Sequence, residues 1–117
     1  MPTIHDLVAA LRRREGVDAA VVLGRDGLLI DGSAIPTLDA EGIAALIPAL
    51  VNAADELGTQ MERGPVATAI VEYAQGIAIV SVLSGDAILL VVARPGAQLG
   101  ALLFELRRHR TDLAALI

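Results

Sequence analysis

Apolar residues recur at every third or fourth position in some stretches of the chain and run almost unbroken in others, and this contrast marks out its elements. Ile4, Leu7, Val8 and Leu11 stand at i, i+3, i+4 and i+7, the spacing that aligns side chains on one helix face. Thr3 can cap this helix, and Asp6 stands three residues on, where a capping box places an acceptor for the cap's own N–H. Arg12, Arg13 and Arg14 suit the negative end of the helix dipole, and Gly16 is a natural stop. Residues 17–23 predict a strand, separated from a second apolar run at 28–30 by Gly24-Arg25-Asp26-Gly27. Asp-Gly between two such runs signals a hairpin, because a tight turn needs positive φ. The second strand is expected to fade at Asp31-Gly32-Ser33.

The spacing then predicts a long helix over 39–63, with Ile43, Leu46, Ile47, Leu50, Ala54, Leu57 and Met61 as its core stripe. Pro48 removes a hydrogen bond inside it, so a kink or an irregular first half is expected. Three apolar runs follow at 67–73, 77–83 and 87–93. The turns between them are too short for parallel crossovers, which makes an antiparallel meander. The last two runs are apolar on both alternating faces except at Ser81, so the sheet must be covered on both sides. After Arg94-Pro95-Gly96 a last helix buries Leu99, Leu102, Leu103 and Leu106. Thr111 and Asp112 either break it or cap a final turn carrying Leu113, Leu116 and Ile117. The order α-β-β-α-β-β-β-α describes one α/β (α+β) domain over residues 1–117. It has a five-stranded antiparallel sheet with the terminal helices on one face and the long helix on the other.

Opposite its core stripe the long helix carries Gly42, Ala45, Pro48, Ala49 and Asn52, which are small and mostly uncharged. A solvated face usually carries charge throughout, whereas small residues let a second backbone approach. The simplest such neighbour is a second copy of the chain, meeting Gly42, Ala45 and Ala49. The strand at 67–73 has no Pro and no Lys, and its single charge is Glu72. Such an edge is unblocked, and pairing with its own copy through Ala67, Ala69, Val71 and Tyr73 removes it. The alternatives are an alanine-rich surface from a GC-rich genome and an edge shielded by a loop.

With 55% hydrophobic and 20% charged residues in a chain of 117, disorder is excluded. The net charge of −5 argues against a nucleic-acid-binding face. Every basic residue is Arg, so a phosphate-loop lysine and a Schiff base are both excluded. That usage, with abundant Ala, resembles bacterial coding bias. Cysteine is absent, which removes thiol chemistry and fits a reducing cytoplasm. Nothing at the N-terminus resembles a signal peptide, and Glu72, Gly76, Ser84, Gly85 and Asp86 interrupt the most apolar region before it could span or insert in a membrane.

Candidate chemistry is sparse. No Gly-x-Gly-x-x-Gly occurs, and His5 and His109 lack zinc-ligand spacing, so no metal and no cofactor is expected. Ser33, Ser81 and Ser84 stand outside any nucleophile elbow, and a hydroxyl buried at Ser81 is expected to be satisfied by neighbours. Asp55 and Glu56 point about 100° apart on a helix and belong to a solvated face. Arg63 could serve as an arginine finger, but as a helix-end charge beside Gly64-Pro65 it needs no such role. Arg107, Arg108, His109 and Arg110 likewise form a helix-end cluster. With only Tyr73 and Phe104 aromatic, an aromatic-lined ligand pocket is not expected.

The element order, the hairpin over 17–30 and the segment Ala97-Gln98-Leu99-Gly100 running into 102–108 together resemble the roadblock family. That family contains roadblock-type dynein light chains and bacterial co-regulators of small Ras-like GTPases. Its members commonly show Ala-Asn-Leu-Gly before a Leu- and Arg-rich helix, and here Gln98 replaces the Asn. The resemblance covers nearly the whole chain. It implies a roadblock-like (profilin/longin-like) homodimer whose sheets join through the third strand, with the long helices alongside. It further implies a non-enzymatic regulator or scaffold of a small Ras-like GTPase, in which the partner's own residues do the chemistry. No catalytic residue carries over. The polar half of the long helix, with Asn52, Asp55, Glu56, Gln60 and Arg63, is the expected partner surface. The alternative is a dimerisation module of a signalling or motor-associated complex without a GTPase.

Overall fold

The computed structural model describes residues 3–116, and of Leu113 the backbone alone. Its elements are α1 (Ile4–Arg12), β1 (Val17–Gly24), β2 (Leu29–Ala34), α2 (Ala40–Gln60), β3 (Thr68–Tyr73), β4 (Gly76–Val82), β5 (Ala87–Ala93) and α3 (Leu99–Ala115). The capping box closes as expected: Asp6 N–H donates to Thr3 Oγ1 at 3.1 Å, and Thr3 N–H donates to Asp6 Oδ2 at 3.0 Å. The Thr3 backbone N–H, and then its side chain, hold the Asp6 carboxyl below the usual aspartate range.

All strand pairs are antiparallel, in the order β2-β1-β5-β4-β3. β2 does not fade at Asp31-Gly32-Ser33 but stays paired as far as Ala34 opposite Ala19. A strand at the sheet's rim needs no unbroken apolar run. Asp31 is served by His5 of α1, whose Nδ1 lies 3.2 Å from its carboxylate. Gly32 fits because a Cβ there would stand 3.3 Å from Leu29 and 3.4 Å from Val21.

The sheet carries a core on each face. Val8 and Leu11 of α1 and Leu102 and Leu106 of α3 pack on Val22, Ile79, Leu89 and Val91. Ala44, Ile47 and Val51 of α2 pack on Val21, Leu23, Val80, Ile88 and Leu90. The terminal helices thus share one face and the long helix takes the other, as the sequence pattern requires.

The face that α2 turns to the sheet keeps part of the expected stripe, with Ile47 buried and Ile43 and Leu50 packed against the core. Ala44, Ile47, Val51 and Gly58 are buried, whereas Leu46, Leu57 and Met61 are 74%, 57% and 51% exposed. Gly58 is buried under the turn that follows the helix, where a side chain would collide with the Gly64 carbonyl. The helix is continuous through Pro48, with no irregular first half. Pro48 lies under the hairpin turn, where a Cβ on Gly27 would stand 3.3 Å from its ring, and Gly27 has a φ of +87°. α3 runs through Thr111 and Asp112, both exposed, to Ala115. Ala114 packs against the core, while the Leu113 side chain and Ile117 lie outside the described residues. Among the described residues no helix is long and apolar enough to cross a membrane.

Candidate functional site

α2 lies over β1 and β2, so the part of the same sheet face that belongs to β4 and β3 is only partly covered. Between them runs a groove of about 420 Å³, lined chiefly by Leu38, Ile43, Leu46, Leu50, Tyr73, Ile77 and Ala78. β3 closes this side of the sheet and pairs only with β4. Ala69, Val71 and Tyr73 stand opposite Val80, Ala78 and Gly76 and so share the α2 face. Ala69 and Val71 are half-buried, Tyr73 is 60% exposed, and Ala67 precedes the strand in an exposed position. An unpaired strand edge therefore adjoins an exposed apolar helix flank.

That flank differs from the expected one. Leu46 is exposed toward the groove, although the sequence pattern assigned it to the core, and Leu50 lines the groove while packing against the core as expected. Gly42 and Ala49 are exposed and stand on the side of α2 away from the sheet. Ala45 belongs to the opposite flank, where its Cα backs the hairpin at Gly27. A signal for this was present: apolar residues at 44, 47 and 51 as well as 43, 46, 50 and 57 make a stripe too wide for one helix face.

The expected partner residues divide. Asn52, Glu56, Gln60 and Arg63 are exposed, and Arg63 donates through Nη1 to the Glu62 carbonyl at 3.3 Å. Asp55 does not belong to a solvated face. Its Oδ1 accepts from Val66 N–H at 2.8 Å, and its Oδ2 faces Arg25 Nη1 at 3.4 Å. It ties α2 to both the hairpin and the approach to β3.

Arg110 also departs from the helix-end cluster assigned to it. Its Nη2 donates to Thr68 Oγ1 at 2.7 Å, to Ser81 Oγ at 3.1 Å and to the Ala67 carbonyl at 3.4 Å. Ser81, only 2% exposed, is thereby satisfied. His109 Nε2 lies 3.2 Å from Glu105, which also faces Arg14 at 3.6 Å. Arg107 and Arg108 point to solvent.

A second, polar cleft of about 430 Å³ opens at the start of α3, lined by Arg14, Glu15, Arg94 and Gln98 among others. Its arginines are engaged elsewhere, Arg14 with Glu105 and Arg94 with Asp18 at 3.4 Å. Among the described residues no group of three or more His, Asp or Glu side chains converges as a metal site. The geometry that stands out is a surface for association.

Comparison with known proteins agrees with the architecture. The profile of the Roadblock/LC7 domain matches residues 3–93. An uncharacterized protein of Methanocaldococcus jannaschii is 26% identical over 113 residues, spanning 97% of this chain and 98% of its own. Among solved structures, Myxococcus xanthus MglB superposes with a TM-score of 0.89 at 16% identity, over 97% of this chain and 86% of that one. The Roadblock/LC7 domain of Streptomyces avermitilis gives a TM-score of 0.87 at 23% identity, over 97% of each chain. These two structures share its fold.

Proposed function

The chain belongs to the Roadblock/LC7 domain family, and from that premise we propose that it acts in the cytoplasm as a homodimeric, non-enzymatic regulator or scaffold of a small Ras-like GTPase. The 117 residues work as one domain. The observation that carries the dimer is the α2 flank with exposed Leu46 and half-buried Leu50 beside the unpaired β3 edge. Two copies related by a two-fold axis pair β3 with β3 and bury the two flanks against each other, which removes an edge and an apolar groove in one step. Ala69, Val71 and Tyr73 form the strand part of this contact, and Gly42 and Ala49 form its outer rim on the helix.

The GTPase rests on the family resemblance of the hairpin and of residues 97–108. A two-fold surface seats one partner across its axis, and Asn52, Glu56, Gln60 and Arg63 line the exposed polar part of α2 and its end on each copy. The partner's γ-phosphate orders its switch loops, and only ordered loops offer a fixed surface. The regulator selects that state by differential affinity alone. The protein by itself leaves GTP unhydrolysed.

The test is a binding titration against the cognate GTPase loaded with GDP or with a non-hydrolysable GTP analogue, preceded by light scattering. Light scattering should give about twice the 12.1 kDa protomer mass at micromolar concentration. Preference for the GTP form supports the proposal, and equal affinity for both forms removes the regulatory role. A dimer that captures no GTPase leaves the dimerisation module as the reading.

A further inference from the structure

Residues 66–68 lead into β3, and charged side chains grip them from both faces of the sheet. From the α2 side, Asp55 Oδ1 accepts the Val66 N–H at 2.8 Å. From the α3 side, Arg110 Nη2 donates to Thr68 Oγ1 at 2.7 Å and reaches the Ala67 carbonyl at 3.4 Å. The same nitrogen holds Ser81 Oγ at 3.1 Å, and Ser81 is the register partner of Thr68. Arg110 thus binds the two members of one cross-strand pair. Its Nε is buried without a partner, and the two N–H groups of Nη2 are shared among the three acceptors, the Ala67 carbonyl being the most distant. The Asp55 carboxylate is itself steadied by Arg25 at 3.4 Å.

These contacts sit where an edge strand is weakest. β3 has a ladder on one side only, and its first residues are those that fray when nothing else holds them. Hydrogen bonds to charged groups are about twice as strong as neutral ones, which suits such an anchor. Arg110 stands on α3, beyond residues 3–93, the span that the family profile matches.

We propose that Asp55 and Arg110 are positioning residues for the dimer edge, clamping residues 66–68 from opposite faces so that self-association through β3 requires both α2 and α3 to be docked. This rests on the homodimer proposed above. Pairing of β3 with its copy requires residues 68–73 to be extended and in register, and an untethered start must be ordered at the moment of association. The linkage is reciprocal: dimerisation protects the docking of α3, and loosening α3 weakens the dimer.

The experiment is sedimentation equilibrium of the full chain with Arg110→Met, Asp55→Ala and Asp55→Asn, alongside Thr3→Ala as a control that removes the α1 cap without touching α3 or β3. Arg110→Met and Asp55→Ala should each raise the dimer dissociation constant about tenfold, the factor that one lost charge-assisted hydrogen bond carries. Asp55→Asn keeps an acceptor oxygen for Val66 and should recover most of that affinity. Thr3→Ala should lower the melting temperature and leave the dissociation constant unchanged. Hydrogen exchange, read in the same samples, should show faster exchange across β3 in the two tether variants and not in the control. If either variant fails to dimerise at all, Asp55→Asn and the exchange pattern still decide between edge release and global unfolding. An unchanged dissociation constant in Arg110→Met and Asp55→Ala, with the parent protein dimeric, overturns this inference alone. A parent protein that stays monomeric overturns the homodimer and this inference with it.

Discussion

Leu46 separates the core from the association surface more sharply than any other residue. Its side chain is 74% exposed on α2 and lines the groove beside β3. Burying a leucine completely is worth about 1.5–3 kcal/mol, so covering the exposed three-quarters in a dimer is worth about 1.5 kcal/mol per protomer. A two-fold interface contains the residue twice, which makes about 3 kcal/mol for Leu46→Ala, or about 10²-fold in the dissociation constant. Protomer stability, in contrast, should move by less than about 0.5 kcal/mol, because an exposed leucine contributes little and alanine is the better helix former. Had Leu46 been a core residue, the same change would cost about 2–5 kcal/mol of folding free energy. Sedimentation velocity over a concentration series reads the first quantity, and urea denaturation well below the dissociation constant reads the second. A dissociation constant unchanged by Leu46→Ala would refute the apolar-flank argument. A large loss of protomer stability would show that α2 is rotated from the orientation described.

Further outcomes follow from single positions. Gly76→Ala places a Cβ against the Ala93 carbonyl at a φ of +152°, where neither backbone can yield, and should lower the denaturation midpoint by more than about 1 kcal/mol equivalent. Asp6 has its folded-state pKa held below the ordinary value by Thr3, so its contribution is present above the unfolded pKa and is lost as pH falls through the lowered folded one. Asp6→Asn should therefore flatten the acid limb of a stability–pH profile, and an unaltered limb would contradict the capping-box linkage. A charge at the end of α2 is accounted for by the helix dipole, so Arg63→Ala should change any stimulated GTP hydrolysis by less than the ~10³-fold of a lost arginine finger. Full loss of stimulation with binding intact would make Arg63 the finger.

Much of the fold was legible in the chain because it is set by local chemistry. The capping box at Thr3 and Asp6, the Asp-Gly hairpin, the bounds of β5 and the antiparallel meander each depend on residues a few positions apart. The assignment of terminal helices to one face and the long helix to the other followed from strands apolar on both sides. That the strand at 67–73 carries none of the Pro or Lys that would block an edge was legible too.

What escaped depends on residues far apart in the chain. Helical periodicity fixes the angle between Leu46 and Ala44 around the axis of α2, but not the direction in which the sheet lies. Both flanks of the helix are apolar, and only packing decided that Ala44, Ile47 and Val51 face the sheet while Leu46 faces the groove. Asp55 looked like any exposed carboxylate until the fold brought Val66 and Arg25 to it. Arg110 looked like one of a helix-end cluster until α3 crossed the sheet to Thr68 and Ser81, 42 and 29 residues away in the chain. A buried polar group must find a partner, but its identity belongs to the tertiary structure, because proximity in space between distant segments is set by the packing of the whole sheet.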